Sequence, residues 1–199
     1  EDYEEYLDEG REEVLPEPPV TWGHTSGRSG RFKWFPYTRR AFEGLGERVL
    51  AGVILGAARW KGDVRLRPKD VLVYNTPPRP YFSGLTLRAL AEQFDFRFVP
   101  SLEVTEQLSF QERIEHGFQT GLVTGIDVLG SIAVVLVKMG ERFAQGASST
   151  RISRQILHPK ALARLVRGWA RSRLEGRGML PRDLWRLKAL PSGGMDTSI

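Results

Sequence analysis

The sequence predicts an α/β protein, and three observations carry that prediction. Residues Asp70–Asn75 form a short apolar run with polar ends, the signature of a fully buried strand. Residues Asp95–Pro100 form a second short strand, with Phe96 and Phe98 alternating. Segments with apolar residues at helical spacing lie around and between these runs, so strands are interspersed among helices. The chain has 199 residues, 41% of them hydrophobic and 27% charged, which is enough apolar content for a packed core.

Taken in order, residues 3–13 are acidic and read as a helix with Tyr3, Tyr6 and Leu7 on one side. Pro16, Pro18 and Pro19 end it. Val20–Trp22 reads as extended and leads into a glycine-rich loop, Gly23–Gly30. Phe32–Tyr37 reads as the strand leaving that loop. Thr38 is placed to cap a helix that starts at Arg39 and runs on through Leu50–Trp60. The buried strand 70–75 ends in a rigid segment, Thr76–Pro80, and a helix follows over 85–94.

Ser109 and Glu112 have the spacing of a capping box. The helix they start carries Phe110, Ile114 and Phe118 as one apolar stripe. The run 128–137 fits a buried strand or a buried helix, and its continuation to Phe143 favours the helix. Gly146–Thr150 is a loop of small residues. His158-Pro159 opens another helix, predicted to bury Leu162, Leu165, Val166 and Trp169 and to turn Arg164, Arg167 and Arg171 outward. Pro181–Leu190 reads as a last short helix.

Composition excludes several kinds of chemistry. There is no cysteine, hence no disulfide scaffold, no thiolate metal site and no cysteine nucleophile. His24, His116 and His158 are far apart and show no metal-ligand spacing. The longest uncharged apolar run, Val128–Val137, has ten residues, against the roughly 20 needed to cross a bilayer. We therefore expect no membrane association and a cytoplasmic location. The chain opens within a charge run, without Met, and is read as an internal piece of a longer protein.

Arginine dominates the cations, 23 against 6 lysines. Residues 1–17 hold nine acids and one arginine, whereas residues 151–188 hold eleven cations and two acids. A solvated face of an amphipathic helix accounts for the basic region. Nucleic-acid binding through 151–188 is the alternative.

The stretch from Thr25 to Lys33 carries the most chemistry. It packs Thr25, Ser26, Gly27, Arg28, Ser29, Gly30 and Lys33 into nine residues. Glycines let successive backbone N–H groups converge on an anion, hydroxyls donate to phosphate oxygens, and lysine adds a full charge. A flexible surface hairpin has the same composition. Neither the G-x-x-x-x-G-K-[ST] loop nor the G-x-G-x-x-G fingerprint occurs in the chain.

This stretch resembles the phosphate-binding loop of the adenylate-forming superfamily, roughly [ST]-[SG]-G-[ST]-[ST]-G-x-P-K. Thr25, Ser26, Gly27, Ser29, Gly30 and Lys33 stand at matching positions. Arg28 replaces a hydroxyl and Phe32 replaces the usual proline, which should loosen the loop's exit. Trp22–His24, Pro36–Thr38, Leu108–Ile114, Val137–Glu141 and Arg182–Trp185 are similar to bacterial relatives of the auxin- and jasmonate-type acyl-acid amido synthetases.

The resemblance implies a layered α/β/α fold, with residues 1–199 forming part of a large N-terminal ATP-binding domain. It also implies an ATP-dependent ligase. A carboxylate displaces pyrophosphate from ATP, and an amine or a thiol then takes the acyl group and releases AMP. ATP and Mg²⁺ are the expected cofactors. The expected partners are a small carboxylic acid and an amine or thiol acceptor, with no nucleic acid. Thr25, Ser26, Gly27, Arg28, Ser29, Gly30 and Lys33 are the expected phosphate contacts. The catalytic residues are not identified, and the family's Thr/Ser-Glu motif is not found; Val104–Glu106 is a decoy. A catalytically dead relative, kept in play by Arg28, is the other alternative.

Overall fold

The computed structural model describes residues 9–25, 32–144 and 158–193. The chain divides into two compact units, 1–52 with 77–95 and 53–76 with 96–199. No helix among the described residues is long and apolar enough to cross a membrane.

In the first unit, β1 (Thr21–Thr25) pairs antiparallel with β2 (Lys33–Tyr37), from Thr21 opposite Tyr37 to Thr25 opposite Lys33. The ribbon has only two strands, so Pro36 removes no ladder bond that a third strand would need. Upstream, the expected helix over 3–13 is corrected where it is described. Gly10 turns the chain at φ 68°, and Glu12–Val14 form one 3₁₀ turn. Trp22 Nε1 donates to Glu12 Oε1 at 2.8 Å, tying that turn to β1.

Helix α1 (Arg39–Ala57) starts where Thr38 Oγ1 accepts from the Ala41 amide. It stops three residues before Trp60, because the Asp63 carboxylate takes the Arg59 amide at 3.0 Å and closes a turn. Helix α2 (Phe82–Gln93) begins earlier than expected. Phe42 and Leu45 of α1 pack against Leu85 and Ala89 of α2. The helices cross so closely at Gly46 that a Cβ there would stand 2.4 Å from the Ala89 carbonyl oxygen.

The second unit holds a parallel sheet in the order β4-β3-β5-β6. The strands are β3 (Val71–Asn75), β4 (Arg97–Val99), β5 (Val128–Ile132) and β6 (Ser192–Gly193). Every residue of β3 is buried, as its unbroken apolar pattern requires of a central parallel strand. A short helix, α3 (Leu102–Thr105), was not foreseen; Ser101 caps it. Helix α4 (Phe110–Thr124) starts with the expected Ser109–Glu112 capping box.

The stripe on α4 is not as predicted. Phe110 is exposed, whereas Phe118 packs against the core as expected, beside buried Gly117, Gly121 and Leu122. A Cβ at Gly117 would lie 3.0 Å from Val73, and one at Gly121 would lie 2.7 Å from Ile126. The run 128–137 splits, with β5 followed directly by α5 (Ala133–Ala144). Pairing with β3 on one side and β6 on the other claims Val128–Ile132 for the sheet, and only the remainder is helical.

Helix α6 (Pro159–Leu174) also departs from its predicted face. Ala161, Gly168 and Ser172 are buried and Leu165 packs against the core as expected, whereas Leu162, Val166 and Trp169 are exposed, and Arg164, expected to turn outward, is half-buried against the end of α4. Close approach explains this: a Cβ at Gly168 would meet Leu184 at 3.0 Å. Pro181–Leu190 is helical only over α7 (Pro181–Leu184). Beyond it the chain extends along β5, where the Leu129 amide donates to the Ala189 carbonyl and the Ser131 amide to the Pro191 carbonyl. The core joins Val71, Val73 and Val99 of the sheet to Leu122, Leu184 and Trp185.

Candidate functional site

The glycine-rich loop expected over Gly23–Gly30 is corrected at its start: Gly23, His24 and Thr25 belong to β1, because they pair with Phe35, Trp34 and Lys33 of β2. Thr25 and Lys33 face each other as the last ladder pair, so they form the mouth of the loop. Both are exposed, and Lys33 has no carboxylate partner among the described residues. Ser26, Gly27, Arg28, Ser29 and Gly30 lie outside the described residues.

The base of the loop is built from aromatic rings. His24 is buried, with ring centroids 4.3 Å from Phe32, 4.8 Å from Trp34 and 4.5 Å from Tyr81. Its amide donates to the Pro80 carbonyl at 2.9 Å, which anchors β1. Its Nδ1 is buried and has no partner among the described residues. A buried imidazole nitrogen without a partner is uncommon and suits a ligand or a bound water. Phe32, half exposed, packs against His24 and Tyr81 just before β2.

The segment 81–84 is structural support. Tyr81 belongs to the aromatic base, and Ser83 Oγ donates to the Pro77 carbonyl. Gly84 is packed where a Cβ would lie 2.3 Å from the Arg79 nitrogen.

A second set of polar atoms was missed by the sequence reading. In the second unit, the carboxyl ends of the parallel strands bring Asn75 opposite Ser131. Asn75 Oδ1, Thr76 Oγ1 and Ser131 Oγ are buried without hydrogen-bond partners among the described residues. Ligands of open parallel sheets collect at this edge. The available signal was an asparagine closing an otherwise apolar strand, followed by threonine. His116 is half-buried, and its Nδ1 also lacks a partner among the described residues.

The opposite, amino edge of the sheet is closed by ions. Lys188 Nζ sits 2.5 Å from Asp70 Oδ1 and 3.3 Å from Asp127 Oδ1. Asp127 Oδ2 accepts from the Val71 amide at 3.0 Å, and Asp70 Oδ2 accepts from the Arg67 amide at 2.9 Å. Asp127 therefore joins strands and does not cap the following segment.

Val104–Glu106 proves structural. The Thr105 hydroxyl is buried, bonded to the Tyr74 hydroxyl and to the Ser101 carbonyl. Among the described residues, no three acidic or histidine side chains come together to hold a metal ion. Compared with family models, with curated proteins and with solved structures, the chain matches none.

Proposed function

We propose that this chain is the ATP-handling part of an acyl-acid ligase of the adenylate-forming type, within a layered α/β/α domain. The reaction joins a small carboxylic acid to an amine or a thiol, and ATP is converted to AMP and pyrophosphate. The observation that carries the reading is the pairing of Thr25 with Lys33 at the mouth of a Ser/Gly-rich hairpin loop. A β-hairpin held at its base by the buried His24 ring and the aromatic rings around it fixes where the loop emerges, and positioning is most of what phosphoryl chemistry asks of a protein.

The residues present fit a triphosphate. Lys33 is an exposed cation with no carboxylate partner among the described residues, and Thr25 offers a hydroxyl across from it. In this reading, Ser26, Ser29 and the Gly27 and Gly30 amides donate to the β- and γ-phosphate oxygens, and Arg28 adds a second cation. Lys33 offsets the charge that gathers on departing pyrophosphate. Magnesium would arrive with the nucleotide, bound largely through phosphate oxygens and water. A cytoplasmic location suits an enzyme that consumes ATP.

The test is carboxylate-dependent ATP–pyrophosphate exchange with a pool of aromatic and aliphatic acids. Exchange that disappears in the Ser26→Ala, Ser29→Ala double variant is the expected result. No exchange with any acid, together with no ATP binding, would overturn the reading in favour of an inactive relative.

A further inference from the structure

The strongest unassigned feature is a cavity of about 320 Å³ in the second unit, at the amino edge of the sheet. It lies between the end of α4, helix α6 and the segment around α7. Five arginines line it: Arg164, Arg167, Arg171, Arg182 and Arg186. No lysine takes part, and the guanidinium is the side chain whose planar fork matches phosphate and carboxylate oxygens two at a time.

Two acids, Asp127 and Asp183, also line the cavity, and both are already committed, as is the neighbouring Glu175. Asp127 is held by Lys188 and the Val71 amide. Asp183 takes two bonds from Arg177, at 2.7 and 2.8 Å, and one from the Leu180 amide. Glu175 is shared by Arg171 and Arg177, with Arg182 at 3.9 Å. Arg167 and Arg186 have no carboxylate partner among the described residues.

The cavity is also built rather than accidental. Arg164 is half-buried and donates to the Gly121 carbonyl at 3.1 Å and to the Leu122 carbonyl, at the end of α4. Gly125 at φ 93° gives it room, since a Cβ there would lie 3.3 Å from Arg164 Nη2. Burial and then the neighbouring Arg167 both lower the Arg164 pKa, so both oppose its charge. Like charges gathered in a concave, partly desolvated site are relieved by an anion.

We propose that this cavity binds a small phosphate-bearing ligand, a diphosphate or phosphate ester, with Arg167 and Arg186 as its principal ion-pairing residues and Arg164 fixed beneath it. The volume is at the lower end of the range of small-molecule sites, about 300–1,000 Å³, which suits a compact anion. The inference does not rest on the ligase reading, because no residue of the Thr25–Lys33 stretch takes part.

Inorganic pyrophosphate is the probe, titrated calorimetrically into the full chain, with sulfate for comparison. Each titration is run with the native sequence and in a Lys33→Gln background, which isolates the cavity from the hairpin loop. In the Lys33→Gln background, the Arg167→Gln, Arg186→Gln double variant should bind pyrophosphate at least tenfold more weakly. Its melting temperature without ligand should be unchanged, since neither arginine holds the fold. Three results would overturn the proposal: no pyrophosphate binding at millimolar concentration, equal binding by the double variant in that background, or binding that is lost with Lys33→Gln alone. Tighter, arginine-dependent binding of a generic DNA duplex would overturn it too, by assigning the face to nucleic acid.

Discussion

Lys188 joins two carboxylates that precede different strands, and that makes it the most consequential single cation in the second unit. Replacing it with methionine leaves Asp70 and Asp127 facing each other without compensation in a mostly buried place. We expect Lys188→Met to cost about 3 kcal/mol in urea unfolding. Adding Asp70→Asn should return part of that loss, because the stranded charge goes with it. Asp183 offers a separate test. The two donors of Arg177, joined by the Leu180 amide, hold its carboxyl far below the ordinary value of 3.8. The lowered pKa contributes stability that is complete above that ordinary value and is lost as pH falls through the folded one. Melting temperature should therefore drop between about pH 4 and pH 2. Asp183→Asn should lower it at neutral pH and flatten the acid decline; an unchanged acid profile would remove Asp183 from the account.

Elements were legible in the sequence where local chemistry decided them. The Ser109–Glu112 box, the Thr38 cap and the β3 run all stand as read, because capping geometry and full burial leave local traces. The failures share a cause. On α4 and α6, buried glycine, alanine and serine take up much of the packed face, while Phe110, Leu162, Val166 and Trp169 are exposed. Periodicity of large residues cannot report such a contact, since the partner is distant in sequence. The split of 128–137 and the extended path after Leu184 were likewise set by pairing with β3 and β5. The candidate loop was legible as composition. Its aromatic base around His24 and the orphaned atoms at the sheet's carboxyl edge were not, because they depend on segments that meet only in space. Close helix crossing in the first unit gives a prediction at this scale. Gly46→Val places carbon against the Ala89 carbonyl and should destabilise by about 2 kcal/mol, read as a shift in denaturation midpoint.

Each compact unit is assembled from two separate stretches of chain. The central strand β3 belongs to residues 53–76, whereas its neighbours β4 and β5 come after residue 95. A chain of residues 96–199 alone therefore lacks the strand that pairs with both. It should show no cooperative thermal transition by circular dichroism. A sharp two-state transition from that piece would mean that the sheet does not depend on β3. The exposed Val166, Trp169 and Leu174 on α6 add apolar surface that such a truncated chain would carry as well.

The bond between Asp70 and Lys188 spans 118 residues. During synthesis at about 5–20 residues per second, roughly 6 to 24 s separate the emergence of its two ends. Through that interval β4 and β5 emerge and can pair with β3, while the segment that carries Lys188 and β6 does not yet exist. The outer edge of β5 therefore waits with open hydrogen-bonding groups, a template for pairing with other chains. Slower translation should then lengthen the vulnerable period and raise the demand for chaperones that shield nascent strands, even though the finished sheet pairs that edge with β6.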